Sequence, residues 1–452
     1  MTRRAPLACL VILSLAGAAS AQWDPQNGLW GKSEASDVRV MTWNILDAIR
    51  TENPNKADVI SNWNACVRIV AGLQPDILIL QETGDNGCSG CVDSAAELET
   101  LCTLFFQGGT DPFLGGPVTS YVQLFAPGYD LPFKFVSLVS DGFNRNIVLS
   151  RFPYADLNGD GAATESNFLV VQDAYTSTGN VIRGYQFAEI DLPDEVYAGD
   201  LVIGNGHLKA GGASGDLSQR LEEGKRIAYL IDYMFNGAGT GVPDPNGLVV
   251  FPNPTTILPA NTPVIWGGDW NEDEQTNGRK GPAEWMTRAE FTGGTDGTDR
   301  DRGDSVFDSA TDVFSGARGT RGGSKLDYLA WQDSIVEGVT RQFVFESSSV
   351  SSINQLPAPV RTFPYPAPQV TSSFASDHRP VVVDFRLPLA TGGPCTAADV
   401  AEPFGILDLA DINAFASGFL TQNPVADLAP PTGVFDLADI NAFVNAFVSG
   451  CP

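Results

Sequence analysis

Apolar residues in this chain gather into short runs, and the runs repeatedly break on a polar side chain. VRVMTWNIL (38–46) breaks at Asn44, PDILILQET (75–83) at Glu82, and LVIGNGHLKA (201–210) at Asn205 and His207. TPVIWGGDWNEDE (262–274) breaks at Asp269 and Asn271, KLDYLAW (325–331) carries Asp327 at its start, and SDHRPVVVDF (376–385) sets Asp377 and His378 before its valines. Runs of this length with little alternation predict inner strands, covered on both faces. Apolar positions three and four apart predict a helix over SQRLEEGKRIAYLIDYMF (218–235). Rigid strands that run out into loops are where a sheet can hold functional side chains.

The pattern changes after LPLATGGP. DVAEPFGILDLADINAFASGF (399–419) aligns with DLAPPTGVFDLADINAFVNAF (427–447), which predicts two copies of one loop-helix unit packed on each other. Cys395 and Cys451 bracket the pair, so a disulfide between them is expected to clamp its ends. The organisation is therefore a leader at 1–21, a large region at 37–388 and a small duplicated module at 395–452. The leader, MTRRAPLACLVILSLAGAASA, has two arginines, an apolar stretch and small residues before Gln22, the signature of a secretory signal peptide. Its apolar run is too short for a transmembrane span, and no later segment qualifies. The expectation is an exported protein, secreted or held at the cell surface.

Export changes how the cysteines read. Cys66, Cys88, Cys91, Cys102, Cys395 and Cys451 make an even number in an oxidising compartment, and disulfides are expected. Cys88-Ser-Gly-Cys91 has redox or zinc spacing but no second such pair, and pairing among the first four stays open. With 54 acidic against 27 basic residues the net charge is −27. That argues against a surface that grips long stretches of nucleic acid by many phosphate contacts. It does not exclude chemistry on phosphate, because divalent cations supply positive charge locally.

Singly, each residue at a run's end has a plain reading: an Asn or Asp after a strand closes a turn. Together they include the only two histidines of the chain, four carboxylates and several amides. In this order, Asn44 in TWNIL, Glu82 in LQET, Asn205-Gly-His207-Leu, Gly268-Asp269-Trp270-Asn271, Asp327 in KLDY and Ser376-Asp377-His378 resemble the endonuclease/exonuclease/phosphatase superfamily, whose members include pancreatic-type deoxyribonucleases and neutral sphingomyelinases. The resemblance spans most of 37–388, with Trp270 where phenylalanine is usual and with several longer loops. It implies an α/β fold, a four-layer sandwich of two packed mixed sheets flanked by helices, and hydrolysis of phosphate esters with Mg²⁺ or Mn²⁺. Asn44, Glu82 and Asp377 would hold the metal as hard oxygen ligands. His378 would be the general base, oriented by Asp327. Asp269 and Asn271 would orient the nucleophile and His207 would donate to phosphate or leaving group. NIVLSRFPY (146–154) is similar to the family's segment with a phosphate-contacting arginine, here Arg151; Asn205 and Lys209 join it as phosphate-binding candidates. The substrate would be a nucleic acid or nucleotide, with a phosphomonoester or phospholipid as the alternative, and a fold-retaining binding protein as the reading from another class.

The C-terminal repeat resembles dockerin modules, which implies calcium and docking to a surface or protein partner. Asp399, Asp408, Asp411, Asp427, Asp436 and Asp439 are the candidate Ca²⁺ ligands, although Ala-Glu-Pro-Phe and Ala-Pro-Pro-Thr replace the next ligand positions. Fewer oxygen ligands weaken calcium binding; the alternative is a helical spacer held by its core and disulfide. DLNGDGAATESN (156–167) offers Asp156, Asn158 and Asp160 for the first half of another calcium loop, or else forms an Asn/Asp/Gly turn. Arg318, Arg321 and Lys325, with RDR at 300–302, are conspicuous in an acidic chain and form either a phosphate-binding rim near Asp327 or a solvated loop.

Overall fold

The computed structural model describes residues 23–47, 49, 62–84, 94–113, 115–140, 144–159, 161–167, 184–236, 258, 262–277, 281–283, 305–332, 336, 338–362, 367–390, 395–401 and 404–451. The leader, Cys88, Cys91, Asp160 and the 300–302 stretch lie outside them.

The apolar runs form strands. In chain order these are β1 Trp23–Asp24, β2 Leu29–Trp30, β3 Val38–Asn44, β4 Ile77–Gln81, β5 Phe133–Val136, β6 Ile147–Ser150, β7 Thr164–Asn167 and β8 Tyr185–Ile190. They continue with β9 Leu201–His207, β10 Val264–Asp269, β11 Ser305–Phe307, β12 Thr311–Asp312, β13 Asp327–Gln332, β14 Gly338–Val344 and β15 Val381–Arg386. One sheet has the order β12-β14-β15-β3-β4-β6-β5, and a second the order β11-β13-β10-β9-β8-β7. Both are mixed: β3 runs parallel to β4 and β9 parallel to β10, while most other neighbours are antiparallel.

Alternation along each strand splits its side chains between two layers. Val38, Val40, Ile77, Ile79, Val381 and Val383 of the first sheet meet Ile203, Ile265 and Leu329 of the second in one buried core. On the first sheet's outer face Met41, Trp43, Leu78 and Leu80 pack with residues of the helices Trp63–Leu73 and Ala95–Gln107. The second sheet's outer face buries Val202, Val264, Trp266 and Tyr328, joined by Ile227 of the helix Ser214–Asn236. The result is the expected α/β sandwich of two packed sheets between helices. Tight packing explains why β9 carries a glycine in mid-strand: a Cβ on Gly204 would lie 1.6 Å from the Trp266 ring.

Cys66 and Cys102 are buried free thiols, so the expected disulfides do not include them. Both belong to the core under the first sheet, and the Cys66 thiol donates to the Ala375 carbonyl at 3.5 Å.

The C-terminal repeat forms the helices Leu409–Thr421 and Leu437–Ser449 around a small core of Phe415 and Phe443, whose rings stack with centroids 4.1 Å apart. Cys395 and Cys451 are bonded, with their Cα atoms 5.4 Å apart. The candidate calcium ligands have other employment. Asp411 accepts from the backbone N–H groups of Val400 (2.8 Å), Ala401 (3.0 Å) and Asp408 (2.9 Å). Asp439 repeats this with Leu428, Ala429 and Asp436, each at 2.9 Å. Asp408 and Asp436 cap the two helices by accepting from Ala410 (2.6 Å) and Ala438 (2.7 Å). Asp399 and Asp427 accept from the N–H of Gly405 (2.5 Å) and Gly433 (2.6 Å). Backbone N–H donors thus engage all six aspartates, while Asp399 Oδ1 is buried without a hydrogen-bond partner. At the other candidate loop Asp156 accepts from the Gly161 N–H at 2.9 Å, as a turn-closing aspartate does, and Asn158 is buried.

Among the described residues no helix is long and apolar enough to cross a membrane.

Candidate active site

Strand register brings the scattered run-ends together. In the first sheet Asn44 pairs with Gln81, so Glu82 stands beside it, and β15 enters antiparallel with Val381 opposite Thr42, which puts His378 at the same edge. In the second sheet Asp269 is paired with His207 on one side and with Asp327 on the other. The two edges face each other. The Asn44 amide crosses between the sheets, donating to Glu82 Oε1 at 2.9 Å and to Asp269 Oδ2 at 3.0 Å.

The cluster is centred on Asp269 Oδ2. His207 Nε2 lies 3.5 Å from it and 3.6 Å from Glu82 Oε1; His378 Nε2 lies 3.7 Å from it on the other side. His378 Nδ1 is 2.8 Å from Asp327 Oδ2, an imidazole–carboxylate pair that fixes the tautomer and aims Nε2 at the cleft. Ser376 anchors the histidine: its hydroxyl donates to the Asn44 carbonyl (2.7 Å) and accepts from the His378 N–H (3.1 Å). The Asn271 N–H donates to Asp269 Oδ1 at 2.9 Å and its side-chain amide donates to the Leu208 carbonyl at 3.1 Å. Trp270, between them, is buried and stacks on Tyr328 with ring planes 10° apart, so the indole fills a core position.

Two of these residues leave their strands through the left-handed region, Glu82 at φ 52° and Asn271 at φ 55°. For a residue with a Cβ that conformation costs about 1–2 kcal/mol and persists where surrounding contacts enforce it, commonly at functional sites.

Crowding sets the protonation. Burial pushes the Asp269 carboxyl up to about 7; His378 and the Asn44 amide pull it back, while Asp327 and Glu82 push it further. Burial alone would lower the His378 imidazole, but Asp327 and Asp269, the hydrogen bond to Asp327 and the charge of Asp377 overrule it and raise it to about 10. Three carboxylates around two imidazoles thus need a positive charge among them. A divalent cation fits that need: Glu82, His207 and Asp269 bring ligand atoms within 4.8 Å of one another, as do Asp269, Asp327 and His378. Asp327 Oδ1 and Asp377 Oδ1 are buried with no hydrogen-bond partner.

Other sequence candidates lie elsewhere. Asp377 is outside both groups, its Oδ2 held by Arg321 at 2.7 Å. Arg151 follows Ser150, which pairs with Ile77, so it stands at the opposite end of the sheet from Glu82; its guanidinium binds Asp76 Oδ1 at 2.8 Å. Asn205 is wholly buried between the sheets, donating to the carbonyls of Leu80 (3.0 Å) and Ile147 (3.1 Å) and to Gln186 Oε1 (3.0 Å), and accepting from Gln81 (2.8 Å). Its role is to lock one sheet onto the other. The Lys209 ammonium is turned to Asp216 Oδ1 at 3.0 Å.

Sequence reasoning missed two residues. Arg145 precedes β6 at the end where β4 finishes, and its backbone pairs with Thr83 (3.1 Å) and Gly84 (2.9 Å), next to Glu82. Antiparallel pairing of these runs would have signalled it. Thr320, buried, accepts the Asp327 N–H on its hydroxyl (3.1 Å) and the Arg379 N–H on its carbonyl (2.7 Å), tying both halves of the His378–Asp327 pair to one residue. A lone threonine in a Gly-rich loop carries no sequence signal.

No family model matches the chain, and no curated protein does. Solved structures of similar outline include an endonuclease/exonuclease/phosphatase from Beutenbergia cavernae, 18% identical over 78% of this chain and 72% of that one, with a TM-score of 0.41. An endonuclease/exonuclease/phosphatase family protein from Bacteroides thetaiotaomicron is 14% identical over 77% of this chain and 94% of its own, with a TM-score of 0.40. The human nocturnin catalytic domain with bound sulfate is 16% identical over 78% and 95%, with a TM-score of 0.38.

Proposed function

We propose that the chain is an exported, divalent-metal-dependent phosphoesterase, acting as a nuclease-type phosphodiesterase. The observation that carries this reading is the convergence of Asn44, Glu82, His207, Asp269, Asp327 and His378 from six strands on one cleft, around a single carboxylate oxygen. Glu82 and Asp269 would hold a cation of the Mg²⁺ or Mn²⁺ class through their carboxylate oxygens. Bound there, it would neutralise charge on the phosphoryl oxygens and keep Asp269 ionised.

The remaining work falls to the chain itself. With the cation's charge offsetting the carboxylates that hold a proton on His378, the imidazole, oriented through Nδ1 by Asp327, would be free to take the proton of the attacking water at Nε2. Asp269, fixed by the Asn44 amide and the Asn271 N–H, positions that water. His207 Nε2, on the far side of Asp269, donates to a phosphoryl or leaving oxygen. The leader supports export, and the C-terminal module is proposed as a helical attachment unit that works without calcium.

The test is hydrolysis of bis(4-nitrophenyl) phosphate, DNA, RNA, nucleotides and sphingomyelin with Mg²⁺ or Mn²⁺. Turnover that EDTA abolishes and added metal restores is the expected result. Absence of turnover on every substrate with both metals would sink the reading in favour of a binding protein.

A further inference from the structure

The basic residues gathered in sequence near Asp327 divide into two kinds. Arg318 is engaged by Asp273 (2.8 Å) and Glu274 (2.5 Å), and Lys325 is buried against Asp308 at 2.6 Å. Arg379 pairs with Glu346. These cations brace loops. Arg321 is different, because its side chain is 52% exposed and its partner is Asp377, the neighbour of His378. Nε (2.9 Å) and Nη2 (2.7 Å) both contact one oxygen, Oδ2, while the other oxygen of Asp377 is buried with no hydrogen-bond partner.

The backbone that carries Arg321 is fixed. Arg321 and Ser324 exchange hydrogen bonds at 3.0 and 3.1 Å across Gly322 and Gly323, and Gly322 has the φ of 56° that such a turn requires. The preceding residue, Thr320, is bonded to the backbone of both Asp327 and Arg379. A half-exposed guanidinium is thus mounted on a hydrogen-bonded hairpin, against the neighbour of His378.

We propose that Arg321 is the phosphate-binding cation of this cleft: when a phosphoryl group enters, the guanidinium exchanges Asp377 for a phosphoryl oxygen. This rests on the phosphoesterase reading. The site gathers Glu82, Asp269 and Asp327, with Asp377 beside His378, in a chain of net charge −27, so an anionic substrate needs a cation at its entrance. Arginine presents planar donors matched to phosphoryl oxygens. An ion pair this exposed is weak in water, so giving it up costs little.

Calorimetric titration of inorganic phosphate in Mg²⁺ buffer, on the whole protein and on Arg321→Gln and Arg321→Lys, tests this without turnover. Affinity should fall about 10-fold or more in Arg321→Gln, the loss expected for a charged hydrogen-bond partner, and be partly kept in Arg321→Lys. With bis(4-nitrophenyl) phosphate and Mn²⁺, KM should rise by a similar factor while kcat stays within about threefold. Equal phosphate affinity in the parent and Arg321→Gln, or no phosphate binding by the parent, overturns the proposal. So does a fall in kcat at unchanged KM and affinity, which would make Arg321 only a latch for Asp377. Should Arg321→Gln melt early, Arg321→Lys alone decides, by a smaller drop in affinity or its absence. A parent that binds phosphate through Arg321 yet hydrolyses nothing would sink the phosphoesterase reading and leave this one standing.

Discussion

Two regions of this chain bury aspartates where a loop meets a strand or a helix, and they use them in opposite ways. In the C-terminal repeats Asp411 and Asp439 are each surrounded by three backbone N–H groups, spread over both carboxylate oxygens. In the cleft Asp269 faces two imidazoles and lies among other carboxylates, and Asp327 keeps one buried oxygen without a partner. A carboxylate satisfied by its own loop is a brace. One whose neighbours titrate is poised for a proton or a cation. The physical difference is the supply of backbone donors, and a change to either side of it has a distinct signature.

The strongest way to sharpen this contrast is Asp327→Asn. The amide keeps the shape and the link to Thr320 but no longer fixes the His378 tautomer or raises its basicity. Turnover should fall by about 10²–10⁴-fold, the usual contribution of a positioned general base, with thermal melting nearly unchanged. A loss under tenfold at intact fold would place Asp327 among the braces. The opposite signature belongs to the module. Replacing Cys395 and Cys451 by serine removes a cross-link that spans a sequence separation of 56 residues. Denaturant unfolding of the module should weaken by about 2–4 kcal/mol while turnover in the cleft holds. Lost turnover would show that the module supports the site.

How far this could be read beforehand follows the same line. Strands were legible because unbroken apolar runs bounded by turn residues have few other solutions, and the run-ends pointed to the cleft because both sheets expose their functional side chains at one edge. What a run cannot state is its partner. Arg151 follows β6 directly and reads as a phosphate ligand, yet antiparallel pairing with β4 carries it to the far edge and brings Arg145 to the near one. Asn205 stands two residues before His207, so it points to the same face of β9, but one step deeper, where Gln81, Gln186 and two carbonyls absorb it. Asp377 carries the same motif letters as a metal ligand, and only the fold reveals the Arg321 hairpin laid against it. In the module the repeat announced itself, but donors come from backbone that has no letter, so the sequence could not show how far backbone N–H groups engage the loop aspartates.

That last point gives the finest test. Asp411→Ala removes the acceptor of three backbone N–H groups, a loss in the range of a helix-cap deletion, about 1–2 kcal/mol of module stability, read by denaturant unfolding of the whole protein. Calcium is the discriminating addition, because Asp399 Oδ1 is buried without a hydrogen-bond partner: an unchanged melting temperature leaves the loops as braces, and a calcium-dependent rise puts them in the cation-binding class. Acid offers the same distinction by sign. The Asp439 carboxyl lies below its ordinary value because the N–H of Asp436, with those of Ala429 and Leu428, outweighs desolvation. A group depressed in the folded state contributes its stability in full above the unfolded value and gives it up as pH falls through the lower folded one. The module should therefore hold its helices down to the acid end of the carboxylate range and loosen only below it, whereas Asp439→Asn should remove that acid step and lower the module's stability at neutral pH.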